Sequence, residues 1–202
     1  TVSPAGISLG TSFDNRETLT TLTMPAAHVT LTPVYRAPTT FYVDASRPDE
    51  DGDGLSWSTA KRTIQAAIDT AGTGTNSLYD TVLVTNGVYN EGGAVTPGYS
   101  LSNRVMIAKN LTLRSVNGAT ATVIEGSGTN FYGTVGAMRC IYLGKGSIEG
   151  FTLRKGTTLT SGGSVDENRG GAGLYAASDT VAAGCIFAEN LASYNGGGAR
   201  GG

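Results

Sequence analysis

Three groups of residues in this 202-residue chain have the types and spacing to do chemistry. The first is the loop Asp49-Glu50-Asp51-Gly52-Asp53-Gly54, where Asp49, Asp51 and Asp53 alternate as oxygen ligands do around a hard cation such as calcium. The twelfth position counted from Asp49 is Ala60, where an EF-hand-like loop needs a closing Glu. A solvated acidic loop is therefore expected, with calcium at Asp49–Asp53 as the alternative. The second group is Arg114 and Arg154, which end two similar segments, Asn110-Leu111-Thr112-Leu113-Arg114 and Gly150-Phe151-Thr152-Leu153-Arg154. If those segments stack as neighbours, the guanidiniums stand about 5 Å apart and need something anionic between them. Glu125 or Glu149 fills that role in the plainer reading. In the functional reading, a polyuronate carboxylate sits in the Arg fork. An inserted loop would separate the two arginines altogether. The third group is Cys140 and Cys185, too few for a disulfide framework and read as small buried apolar side chains.

Other chemistries lack their residues. The single histidine, His28, has no partner near it in sequence, so a Ser-His-Asp or Cys-His mechanism has no base. No zinc spacing occurs, and the Gly runs lack the Lys and the strand–loop–helix setting of a phosphate-binding loop. The aligned outward positions offer Thr112, Thr152 and Ile186, then Arg114, Arg154 and Ala188, with no acid recurring beside them. No catalytic, cofactor-binding or metal-ligating residue is therefore assigned. Fourteen Lys and Arg against sixteen Asp and Glu give a net charge of −2, with no basic stripe to neutralise phosphates, which argues against a nucleic-acid partner. No apolar run has the length of a membrane span.

The elements that must position these residues are short strands. Charged residues are 15% of the chain and glycine supplies 30 positions, a mixture poor for helix bundles and suited to strands joined by tight turns. From about residue 101 the chain repeats itself. Asn110–Arg114 recurs at Gly150–Arg154 and, loosely, at Gly184-Cys185-Ile186-Phe187-Ala188. Met138-Arg139-Cys140-Ile141-Tyr142 aligns with Ala172-Gly173-Leu174-Tyr175-Ala176, which sets Cys140 against Leu174 and predicts two unbonded thiols in different stacks. Gly170–Leu174 returns as Gly196–Arg200. Three- to five-residue strands between Gly and Asn turns suit a solenoid, with insertions at 126–136 and 157–169. Leu111, Leu113, Phe151, Leu153, Cys185 and Phe187 are the expected inward stacks. One helix is predicted, with Thr63 as N-cap, an apolar stripe of Ile64, Ala67, Ile68 and Ala71, and Gly72 as its stop. It should lie across the end of the β structure and seal it.

Upstream, 18–24 and 29–32 read as two strands, the second alternating and the first slipping at Thr20-Thr21 as a bulge would allow. The stretch Thr23-Met24-Pro25-Ala26-Ala27-His28-Val29-Thr30-Leu31-Thr32-Pro33-Val34-Tyr35 resembles the closing hairpin of β-rich repeats in internalin-type bacterial surface proteins. The ordered set Phe41-Tyr42-Val43-Asp44, Ser56-Trp57, Thr63–Ile68, Asp80–Val84 and Gly87-Val88-Tyr89 resembles the N-terminal cap of pectin-lyase-like proteins. The Gly-Gly patches resemble those of polymorphic outer-membrane proteins.

These resemblances imply an all-β chain: a right-handed parallel β-helix with one N-terminal capping helix, preceded by a small β-hairpin remnant. Residues 1–36 would be the end of a surface repeat, and 37–202 the cap and first coils of a β-helix that continues further. The function implied is that of a non-catalytic secreted or surface-displayed β-helix, outside a bacterial cell, with a polysaccharide or cell-surface glycan as partner. The alternative is the N-terminal part of a polysaccharide lyase or glycoside hydrolase acting on acidic polysaccharide, so enzymatic activity stays open.

Overall fold

The structure is a computed structural model that describes residues 37–72, 80–128, 136–161 and 165–201. The hairpin expected within residues 1–36, with His28, lies outside the described residues.

The chain opens with β1 (Thr40–Val43), helix α1 (Ile64–Thr70), β2 (Asp80–Val84), β3 (Gly87–Tyr89), β4 (Ala94–Val95) and β5 (Ser102–Ile107). A second passage follows in β6 (Leu111–Ser115), β7 (Thr122–Glu125) and β8 (Met138–Leu143). The third has β9 (Ser147–Glu149), β10 (Thr152–Arg154), helix α2 (Val165–Arg169) and β11 (Leu174–Ala176). The last has β12 (Val181–Ala183), β13 (Ile186–Ala188) and β14 (Ala199–Gly201). The first sheet is ordered β1-β2-β6-β9-β12, the second β3-β7-β10-β13 and the third β4-β5-β8-β11-β14. The chain thus visits three sheets in rotation. Every pairing is parallel except β4 with β5. The described chain is therefore predominantly β in parallel sheets, an arrangement compatible with a β-helix-like solenoid.

Alternation within the strands explains the core. Val82, Val84, Leu111, Leu113 and Ile148 of the first sheet are buried, while Thr81, Thr112 and Ser147 between or beside them are half-exposed. Ile124 and Leu153 of the second sheet and Val105, Ile107, Ile141 and Leu143 of the third join the same apolar cluster. Each such side chain contributes about 1.5–3 kcal/mol by leaving water. The corner between the second and third sheets is drawn tight by Gly126 and Gly156. A Cβ on Gly156 would lie 2.0 Å from the Ala172 carbonyl oxygen and 3.0 Å from the Cys140 sulfur, so no side chain fits.

Helix α1 forms as its sequence predicts. Thr63 is the N-cap, its hydroxyl accepting from the Ala66 amide, and Gly72 follows the helix at φ +68°. Glu50 reinforces the start by accepting from the amides of Arg62 and Thr63, both at 2.8 Å. Ile64, Ala67, Ile68 and Ala71 are buried, and the helix packs on β1, β2 and β5. It lies between β1 and β2, where later returns to the first sheet are preceded by a strand of the third. Buried Gln65 completes the substitution: its side-chain oxygen accepts from the Met106 amide at 2.8 Å and its nitrogen donates to the Met106 carbonyl at 3.4 Å. A side-chain amide thereby supplies the pairing that a neighbouring strand would give, and antiparallel β4 covers the other half of the β5 edge.

The register corrects three expectations. Asn110–Arg114 and Gly150–Arg154 do not stack, because Leu111–Ser115 belongs to the first sheet and Thr152–Arg154 to the second. The offset between Met138–Tyr142 and Ala172–Ala176 is one residue shorter than aligned, so Ile141, not Cys140, stands opposite Leu174. Likewise Leu174 faces Ala199, and Arg200 faces Tyr175. The pairing of Thr152–Arg154 with Ile186–Ala188 is as expected. Leu111, Leu113, Phe151 and Leu153 are buried, but Phe187 is 39% exposed and Cys185 only partly covered. Both lie in or beside β13, the last strand of its sheet, with β10 on one side alone.

Candidate functional site

The residues that alternate with the core leave one continuous outer face on the first sheet. Thr40, Thr81, Thr112 and Ser147 stand opposite one another on β1, β2, β6 and β9. The Ser147 hydroxyl donates to that of Thr112 at 3.1 Å. A second row, two residues along each strand, holds Tyr42, Leu83, Arg114 and Glu149. The rows therefore repeat at the strand spacing, about 4.8 Å.

An aromatic pair heads the second row. The chain after β1 returns along its free edge, where the Tyr42 amide donates to Gly54 O and the Lys61 amide to Tyr42 O. Between those contacts a 3-10 turn, Trp57–Thr59, is capped by Ser56. It sets the Trp57 ring edge-on to Tyr42, with centroids 4.6 Å apart and planes at 65°. Trp57 stays 42% exposed and its neighbour Leu55 is exposed too. An indole held by packing at low entropic cost is a contact surface for an apolar face, and the hydroxyl row beside it both donates and accepts.

Arg114 and Arg154 are not brought together. Arg114 lies on the first-sheet face, its Nε 3.4 Å from Glu149 Oε2, with both side chains more than half exposed. Such a pair contributes little to stability. Arg154 lies on the second sheet opposite Glu125, to which its Nε and Nη2 donate at 3.0 and 2.9 Å. Lys155 takes the other Glu125 oxygen at 2.8 Å. The Lys155 hydrogen bond is the largest influence on the Glu125 carboxyl and, with the Arg154 contacts, holds it below its ordinary value against the opposing effect of burial, which ranks second. Each arginine has the glutamate of the adjacent strand as its neighbour, so Glu125 and Glu149 serve one arginine each and neither lies between the two, where the plainer sequence reading set one of them.

The acidic loop stitches itself together. Asp49 accepts from the Asp51 amide at 3.1 Å. Asp53 accepts from the Leu55 amide at 2.9 Å and the Thr59 hydroxyl at 2.6 Å. The Thr59 bond, then the Leu55 amide, lowers the Asp53 carboxyl below its ordinary value. Among the described residues no group of three or more His, Cys, Asp or Glu stands where it could hold a metal ion.

Both thiols are free. Burial pushes Cys140 up to about 12, so it stays protonated, and burial raises Cys185 as well. The residue that sequence reasoning missed is Arg139, wholly buried in the third sheet. Its guanidinium donates to the carbonyls of Gly171 and Gly170 at 2.8 Å, to Glu167 O at 2.5 Å, to Asn103 Oδ1 at 3.0 Å and to Thr96 Oγ1 at 3.4 Å. It also lies 5.2 Å from the centre of the Tyr175 ring, which stacks on Tyr142. Burial lowers its pKa to about 10, so it remains charged at neutral pH. It anchors the segment around α2 to the sheet. An arginine inside the apolar strand Met138–Leu143 was the available signal.

No described helix is long and apolar enough to cross a membrane. Compared with known protein families, curated proteins and solved structures, the chain matches none.

Proposed function

We propose that the chain is part of a right-handed parallel β-helix, secreted or displayed on a bacterial surface, that contacts glycans without catalysing their breakdown. The observation that carries this reading is the exposed outer face of the first sheet, where an aromatic head and rows of hydroxyl and charged groups continue over four adjacent strands. A stack of parallel strands over one core is stiff and suits display of such a face. The charged groups on the outer faces support the non-catalytic half of the proposal. Arg114 lies against Glu149, and Arg154 and Lys155 against Glu125. Those contacts occupy groups that a proton abstraction next to a carboxylate would draw on.

The test has two arms. The full chain is incubated with polygalacturonate and alginate, with and without calcium, from neutral to alkaline pH. Ultraviolet absorbance of unsaturated products should not rise. Steady product formation that disappears in Arg154→Ala would move the assignment to a lyase. In the second arm, affinity electrophoresis through gels holding different polysaccharides should retard the chain. Free migration in all of them would remove the glycan reading.

A further inference from the structure

We infer that the outer face of the first sheet is a platform for a linear, uncharged polysaccharide lying across its strands, with Trp57 stacking on a sugar ring at one end. This rests on the glycan-contacting reading and names the site and the class of ligand.

Direction comes from the register. A chain laid along a strand would meet the side chains of one strand only, whereas one laid across them meets Thr81, Thr112 and Ser147 in turn. The strand spacing of about 4.8 Å is close to the length of one pyranose unit in an extended chain. Successive sugars therefore find successive hydroxyls without the ligand having to bend. The parallel row of Tyr42, Leu83, Arg114 and Glu149 runs the same way, apolar at the Trp57 end and charged at Arg114 and Glu149, before β12 sets Ala183 opposite Glu149 and Val181 opposite Ser147.

Charge selects the class. Arg114 and Glu149 are 3.4 Å apart and both are open to solvent. A pair of neighbouring sugar hydroxyls satisfies both at once, accepting from the guanidinium and donating to the carboxylate. A uronate would have to displace Glu149 from Arg114 and then lie beside the displaced carboxylate, which like-charge repulsion opposes. At the other end, Trp57 and Leu55 are exposed carbon surfaces, suited to the C–H face of a neutral ring and not to a hydrated anion.

The test is affinity electrophoresis of the full chain through gels holding a neutral β-linked glucan or xylan, or polygalacturonate, followed by calorimetric titration with oligosaccharides of increasing length. The neutral polymer should retard the chain more than polygalacturonate does, and affinity should grow with length over about four sugars, one per strand of the face. Trp57→Ala should weaken binding about tenfold or more, as truncation of an aromatic anchor does. Trp57→Phe should keep most of the affinity, and a melting curve like the parent's shows that each variant is folded. Thr112→Val should weaken binding severalfold. Lys155→Gln, on the second sheet, should bind as the parent does. Glu149→Gln should increase retention by polygalacturonate, since it removes the repelling carboxylate. Preference of the parent for polygalacturonate would overturn the uncharged class. Full retention by both Trp57→Ala and Thr112→Val would put the site on another face and leave the glycan reading intact. Migration unaffected by any polysaccharide would overturn both.

Discussion

Replacing Arg139 by Met tests whether a buried cation holds the α2 segment onto the third sheet. Met has a similar reach and no donors, so the change strips the hydrogen bonds while filling most of the space. The carbonyls of Glu167, Gly170 and Gly171 lose their donor, while Asn103 Oδ1 and Thr96 Oγ1 keep the hydrogen bonds they make to one another. Each buried acceptor left without a donor costs about 1–3 kcal/mol. Some of that is offset, because an apolar side chain no longer needs the desolvation that depresses the guanidinium. The expected loss is about 3–5 kcal/mol, from three carbonyls left without a donor at about 1–3 kcal/mol each, less that offset. For a chain of this size that corresponds to a fall in melting temperature on the order of 10 °C. Urea denaturation followed by circular dichroism measures it directly, and Arg139→Lys should fall in between, since one ammonium reaches fewer of the five oxygens. A Met variant within about 1 kcal/mol of the parent would refute the reasoning, because water would then be satisfying the same oxygens.

Ile68→Asp should cost several kcal/mol by the same denaturation, from lost burial plus an unpaired charge beneath β1 and β2, and a variant melting like the parent would sink the capping role of α1. Calorimetric titration with millimolar calcium should give neither heat nor a shift in melting temperature, since Asp49 and Asp53 already accept hydrogen bonds inside the loop; a saturable heat lost in Asp51→Asn would reverse this. Glu125→Gln should remove at most about 1 kcal/mol at neutral pH, given the partial exposure of Arg154 and Lys155. Because the folded-state pKa of Glu125 is lowered, that stabilisation is present above its ordinary value of 4.5 and disappears as pH falls through the depressed one. Parent and variant should therefore converge in acid, and a gap that widens below that value would contradict the Lys155 and Arg154 contacts.

Local features of the sequence were readable because their causes are local. Alternation placed Leu111, Leu113 and Leu153 inside, and the Thr63 cap with the Gly72 stop bounded α1 within a residue. The pairing of Thr152–Arg154 with Ile186–Ala188 was visible because each segment opens on a left-handed glycine, Gly150 and Gly184, two residues before its strand. Parallel strand pairing in general is not local. Leu-Thr-Leu-Arg and Phe-Thr-Leu-Arg share an inside–outside pattern that is open to any strand of any sheet, so similarity of pattern did not mean adjacency in space. One-residue errors at Cys140 and Leu174 have a related cause. The apolar runs there, Cys140-Ile141 and Ala172-Gly173-Leu174, fit two registers nearly equally by pattern, and the structure takes the one that sets Ile141 opposite Leu174.

The same distinction explains why the candidate face escaped a reading by motif. Its members, Tyr42, Trp57, Thr81, Thr112, Arg114, Ser147 and Glu149, come from four separate strands and a turn, and the steps along the chain from Thr40 to Thr81, to Thr112 and to Ser147 differ in length. What joins them is the register of the first sheet, which sets Arg114 beside Glu149 and not beside Arg154. That substitution changes the chemistry of the face. Two stacked arginines would make it a cation awaiting an acidic polymer; an arginine beside a glutamate makes it a neutral pair of donor and acceptor. On a surface built by stacking, the ligand class is therefore a property of register, and a one-residue slip of β9 against β6 would be enough to alter it.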